Sequence, residues 1–202
     1  MVARTAVDNP PTKARLLDAA QALMLAKGFS ATSVDEICAK ARLTKGSFFH
    51  YFDSKDALGK ELLERFCADG RRLHASFCRE AKDPLQRVYN YIDGTIALAK
   101  DPVTRNGCLL GTFAQEMCDT HPEIKHCCAA GFEAWAKAFA KELAAAKAAH
   151  RPKTNFEPRE LAEHFIAVLE GALILSKTRN NARVVVSSLE HFRAYVRTLF
   201  GR

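Results

Sequence analysis

Apolar positions recur every three or four residues through most of the chain, and Gly, Pro or short polar caps mark the breaks between segments. Leu16, Ala19, Ala20, Leu23 and Met24 form the first stripe, beginning at Thr12 and closing at Gly28 as a helix C-cap. Thr32 or Ser33 then caps a second helix, which carries Val34, Ile37 and Cys38 inward. Asp35 and Glu36 fall in its first turn, where the helix dipole favours acids. Ala41-Arg42-Leu43 makes a short connection to a third helix, so two short helices stand a tight turn apart. That is helix-turn-helix spacing. Asp53-Ser54-Lys55-Asp56 supplies another cap, and a long amphipathic helix follows through Leu58, Leu62, Leu63, Phe66 and Leu73. Beyond Asp83-Pro84, proline and glycine breaks predict helices over 85–100, 107–119, 122–150, 158–179 and 183–200. No run keeps a strand period for long. Even Val184-Val185-Val186 opens a helical stripe continued by Leu189, Phe192, Val196 and Leu199.

With 202 residues, 48% of them hydrophobic, the chain can bury a substantial core, which excludes disorder of the whole. Its net charge of +7 favours an acidic partner, either nucleic acid or a membrane surface. No apolar run approaches the roughly 20 residues needed to span a bilayer, and the first thirty residues lack a signal-peptide core, so a soluble cytoplasmic protein is expected. The seven cysteines, Cys38, Cys67, Cys78, Cys108, Cys118, Cys127 and Cys128, contain no CxxC pair and are expected as reduced thiols packed like small hydrophobes.

The segment from Arg42 to Leu58, RLTKGSFFHYFDSKDAL, changes the picture most. Thr44 can cap the third helix through its side-chain oxygen and leave the other first-turn amides facing a phosphate. Gly46 lies just inside that helix, where glycine costs about 1 kcal/mol relative to alanine, which suggests close approach of backbone to a partner. Phe48, Tyr51 and Phe52 are expected to pack the core of the small domain.

The ordered series Gly28-Phe29, Ala31-Thr32-Ser33-Val34, Lys45-Gly46-Ser47, His50-Tyr51-Phe52 and Ser54-Lys55 resembles the TetR family of bacterial transcriptional regulators over about the first sixty residues. The resemblance implies an all-α fold and a homodimer whose paired recognition helices enter successive major grooves of a palindromic DNA operator. It also implies a C-terminal domain that binds a small-molecule effector. The chain divides accordingly into a flexible arm at 1–11, a DNA-binding domain at 12–55 and an effector-binding and dimerisation domain at 56–202. Carried over position by position, Thr44, Lys45, Gly46 and Ser47 fall where the family contacts bases and phosphates, and His50 and Lys55 where it grips the backbone. Thr32, Ser33 and Arg42 are further candidates. Tyr51 lies in the same matched stretch, and Phe49 stands where relatives often carry tyrosine, so a phosphate-bonding hydroxyl is missing there.

In the second domain, Asn106-Gly107-Cys108-Leu109-Leu110-Gly111 resembles a branch of the family that answers to reactive electrophiles or unsaturated small molecules. A thiol in the first turn of a helix has its thiolate favoured by the dipole, and a cation would lower its pKa further. Lys177 matches a lysine of that branch, so Cys108 and Lys177 are expected as a sensing pair. Phe113, Met117, Trp135, Phe139, Phe165 and Leu169 are the expected pocket lining. Val168, Leu173, Leu189, Phe192, Val196 and Leu199 are the expected dimer surface. Two other functions compete: a thiol-dependent redox enzyme using Cys108, and a metal-responsive regulator using Cys118, His121, His126, Cys127 and Cys128. The first lacks a CxxC and a dinucleotide-binding loop, and the second matches no regular zinc spacing; no cofactor is expected.

Overall fold

A computed structural model describes residues 11–101 and 107–201. The described residues form nine α-helices and no strand: α1 (Thr12–Lys27), α2 (Val34–Ala41), α3 (Lys45–Tyr51), α4 (Lys55–Cys78), α5 (Pro84–Lys100), α6 (Leu109–Met117), α7 (Pro122–His150), α8 (Pro158–Arg179) and α9 (Arg183–Leu199). The arm expected at 1–11 lies, apart from Pro11, outside the described residues, as does Asn106.

The chain splits into two compact units within α4, one ending at Leu62 and the other beginning at Leu63. In the first unit α1, α2 and α3 pack on one another. Leu16, Ala20, Met24, Ile37, Phe48, Leu58 and Leu62 are fully buried. Two local devices set the geometry of this unit. Gly28 takes φ 90°, closing α1 with its amide bonded to the Met24 carbonyl. Ser33 caps α2 in a complete capping box: its Oγ accepts from the Glu36 amide, and the Glu36 carboxylate accepts from the Ser33 amide at 2.9 Å.

In the second unit α5 packs on α7 and α9, α8 packs on α7 and α9, and α6 packs on α7. Its core is an aromatic cluster around Tyr91, whose ring meets Phe139 at 4.7 Å and Phe165 at 5.5 Å, with Phe192 against Phe165 at 5.2 Å. The Tyr91 hydroxyl accepts from the Trp135 indole at 2.6 Å. The buried face of α9 is Val185, Leu189, Phe192, Val196 and Leu199. Four of these are residues expected to form the dimer surface; they are already spent on the protomer's own core. Val168 and Leu173 are only partly buried against that core. The large apolar side chains left exposed on α8 and α9 are Ile174 (46%), Leu175 (45%) and Tyr195 (46%). No helix among the described residues is long and apolar enough to cross a membrane.

Candidate nucleic-acid interface and thiol site

The turn between α2 and α3 is made by an arginine in a conformation usually given to glycine. Arg42 sits at φ 54°, ψ 49°, and the Leu43 amide reaches back to the Cys38 carbonyl at 2.9 Å, a Schellman closure. The guanidinium of Arg15 donates to the Ala41 carbonyl at 2.6 Å, covering an α2 carbonyl that the helix leaves open. Thr44 then starts α3: its Oγ1 accepts from the Ser47 amide at 3.1 Å and lies 3.1 Å from the Ser47 hydroxyl. Phe48 and Phe52 anchor the helix from below, both buried and with ring centres 5.6 Å apart.

The rest of α3 faces outward. Thr44, Lys45, Gly46, Phe49, His50 and Tyr51 are exposed, and Ser47 is half-buried. Nothing inside the protein crowds Gly46: a Cβ built there would meet only Thr44 Oγ1, at an ordinary 3.6 Å. The fold itself would therefore admit a side chain at this position. Tyr51, expected in the core, is 39% exposed, with its ring edge-on to His50 at 4.8 Å. Tyr51 ends α3, and Phe52, one residue on, takes the buried place beside Phe48.

Two candidate DNA-binding residues turn inward instead. Thr32 is 1% exposed, and its hydroxyl donates to the Gly28 carbonyl at 2.7 Å, so it ties the turn after α1; Ser33 alone caps α2. The Lys55 ammonium donates to the carbonyls of Phe29 (3.0 Å) and Thr32 (2.9 Å) and lies 4.3 Å from the Phe29 ring centre. That cation locks the start of α4 to the α1–α2 turn. Pattern alone misses Asp35, whose carboxylate holds the Lys45 ammonium at 2.8 Å and raises the lysine's pKa. An acid in the first turn of α2 is legible in the sequence, but its partner across the turn is not.

In the second unit Cys108 is the N-cap residue of α6 and is buried. Its charged neighbour is an acid, not the expected lysine. Burial, and after it the negative charge of Glu170 on α8, push the thiol well above its ordinary range. The amides of Gly111 and Leu110 act in the opposite direction on it. Lys177 is exposed, seven residues along α8 from Glu170, which is roughly 10 Å at 1.5 Å per residue. The structure therefore does not pair it with Cys108. Glu170 is readable as the one charged side chain between Phe165 and Ser176, in the apolar stretch FIAVLEGALILS.

The expected pocket residues Phe113, Met117, Phe139, Phe165 and Leu169 are buried in packing, and Trp135 is partly buried. A shallow depression lies elsewhere, lined by Lys100, Ala182, Arg183, Val186, Ser187 and Glu190. Among the described residues no group of three or more His, Cys, Asp or Glu is placed to hold a metal ion, the set of Cys118, His121, His126, Cys127 and Cys128 included.

A capped helix on a three-helix unit, followed by a second all-helical unit, is the arrangement of a helix-turn-helix DNA-binding protein. Residues 16–62 match the family model for bacterial regulatory proteins of the tetR family, and residues 84–192 match the tetracyclin repressor-like C-terminal domain. The chain belongs to the TetR family and is a DNA-binding transcriptional regulator, not an enzyme. Among its relatives, the HTH-type transcriptional repressor DhaR of Mycobacterium sp. strain GP1 is 29% identical over 85% of each chain. The transcriptional regulator AcuR of Cereibacter sphaeroides is 31% identical over 75% of this chain and 69% of its own. The crystal structure of Escherichia coli NemR in its reduced form superposes with a TM-score of 0.79 at 25% identity, covering 93% of this chain and 97% of that one.

Proposed function

We propose that the chain is a repressor acting as a homodimer on a palindromic operator, released when a small electrophilic or unsaturated effector reaches Cys108. The observation that carries the DNA half is the outward surface of α3, where Thr44, Lys45, Gly46, Phe49, His50 and Tyr51 are exposed while Phe48 and Phe52 hold the helix from behind. Ser33, Arg42 and Ser47 flank that surface as further DNA-facing groups. Phosphate contacts give salt-dependent affinity, and side chains reaching base edges give sequence preference. A two-fold dimer doubles both and calls for half-sites about one helical turn apart. The relatives DhaR and NemR are named as repressors, which supports the sign of regulation.

The dimer surface in this reading is the exposed apolar face around Ile174, Leu175 and Tyr195, with Val168 and Leu173 at its edge. The effector half rests on the buried thiol at the start of α6 and on the likeness to NemR, whose structure is described as a reduced form. Alkylation of the buried thiol would require the start of α6 to rearrange, and Phe113 and Met117 lie on that helix. Lys177, on the exposed end of α8, would come to the thiol only after such a rearrangement.

Selecting bound fragments from random duplex DNA and footprinting them with and without N-ethylmaleimide tests this reading. A protected palindrome that the reagent frees for the wild type but not for Cys108→Ser supports it. Release that persists in Cys108→Ser overturns the thiol half, and protection of every duplex alike overturns the operator half.

A further inference from the structure

The most exposed large apolar side chain among the described residues is a phenylalanine on the outward face of α3. Phe49 is 55% exposed, ahead of Ile174, Leu175 and Tyr195 in the second unit. Its aromatic neighbours Phe48 and Phe52 are both buried. The Phe49 ring makes a T-shaped contact with Phe48, with centres 5.2 Å apart and planes at 81°, so one side of it is braced by the core while the rest meets solvent. Lys45 lies one helical turn earlier on the same face, its ammonium exposed beside Asp35. Gly46, three residues before Phe49, puts no side chain beside the ring. A braced, uncovered ring one turn from a cation on a helix of this kind is placed to meet the floor of a DNA groove while the cation meets its wall.

We infer that Phe49 is a specificity-determining residue that reads thymine through its C5-methyl group in the major groove. This deepens the proposed operator reading and rests on it. The ring carries no donor or acceptor, so it takes no part in the hydrogen-bond code of the base edges and, unlike Tyr51, has no hydroxyl to donate to a phosphate. Covering the ring at an interface is favourable only against another apolar group, and the thymine methyl is the apolar group that base edges display in the major groove. Cytosine lacks that methyl and presents an N4 amino donor beside its place, which the ring can desolvate but not satisfy. Thymine is therefore favoured both by the contact it makes and by the stranded donor it avoids. Two protomers on a palindrome place one such contact in each half-site.

The test replaces each symmetric pair of thymines in the selected palindrome, one pair at a time, by deoxyuridine, which removes the methyl and nothing else. Binding is read by fluorescence anisotropy at low salt, where phosphate contacts keep every variant measurable. For the wild type, one such replacement should weaken binding by about threefold or more per half-site and about tenfold for the pair. Phe49→Ala should bind the thymine and deoxyuridine duplexes alike, and Phe49→Leu, which keeps an apolar side chain, should retain part of the difference. Each variant is compared with itself on two duplexes, so a general loss of affinity or stability cancels. Selected half-sites that share no thymine, a wild type indifferent to every replacement, or a difference that persists undiminished in Phe49→Ala overturns the inference. Those failures are distinct from failure of the operator reading, which is a wild type that prefers no duplex at all.

Discussion

Lys45 Nζ lies 2.8 Å from Asp35 Oδ1, so the cation at the start of the recognition helix is already paired within its own domain. Both side chains are well exposed, and pairs of that kind are weak and screened by salt. A phosphate must compete with Asp35 for the ammonium. Asp35→Asn is therefore expected to tighten operator binding by about two- to fivefold at low salt, with the gain shrinking as salt rises. Fluorescence anisotropy over a salt series checks this, and weaker binding in the variant would mean that Asp35 orients Lys45 towards the DNA.

Lys55 should behave in the opposite manner to Lys45. Its ammonium satisfies two backbone carbonyls at 3.0 and 2.9 Å and packs on Phe29, so Lys55→Met strands both acceptors. A loss of about 1–3 kcal/mol in the stability of the N-terminal unit is expected. Thermal denaturation followed by circular dichroism should show the loss in Lys55→Met and not in Lys45→Ala.

Thr44→Ala removes the cap that accepts the Ser47 amide and should cost about 1 kcal/mol, loosening α3 even in the absence of DNA. Denaturant titration of the free protein measures it.

Glu36 gives a pH signature. The Lys27 ammonium at 2.5 Å, then the Ser33 amide and hydroxyl, hold its carboxyl down at about 2. A carboxyl depressed by folding stabilises the native state above its ordinary pKa, here 4.5, and that contribution fades as pH falls towards about 2. The melting temperature of Glu36→Gln should lie below that of the wild type at pH 7, and the gap should close progressively between those two values. A gap constant across that window would show that the capping box does not depend on the charge.

Ile174→Glu and Leu189→Ala separate surface from core. Ile174 is nearly half exposed, so the glutamate should leave the fold intact and shift the protein from dimer to monomer in sedimentation velocity. Leu189 is fully buried, so alanine there should cost about 2–5 kcal/mol of stability instead.

Helices are legible in the sequence because apolar spacing and caps act locally: Gly28, Ser33, Thr44 and Pro122 punctuate the chain where the structure also breaks. Which of two bodies an apolar stripe faces is not a local property. Leu189, Phe192, Val196 and Leu199 read equally well as dimer surface or protomer core, and α5 and α8 take them as core. Lys55 and Thr32 show the same limit for polar groups. Their partners, the carbonyls of Phe29, Thr32 and Gly28, are backbone atoms that residue type does not reveal. At Cys108 the sequence misleads in sign, since the lysine carried over by resemblance is exposed while the charge that acts on the thiol is an acid on the same helix.

In the proposed role, α3 reads duplex DNA through Lys45 and its neighbours, once per protomer. The most direct measurement of this role is the affinity of the wild type and Lys45→Ala for the selected palindrome and for a shuffled duplex, across a range of salt. The wild type should prefer the palindrome by about a thousandfold or more. Lys45→Ala should bind more weakly and with a salt slope reduced by about two, because each half-site then has one fewer phosphate neutralised. Equal affinity of the wild type for both duplexes, or a Lys45→Ala protein with unchanged affinity and slope, would contradict it.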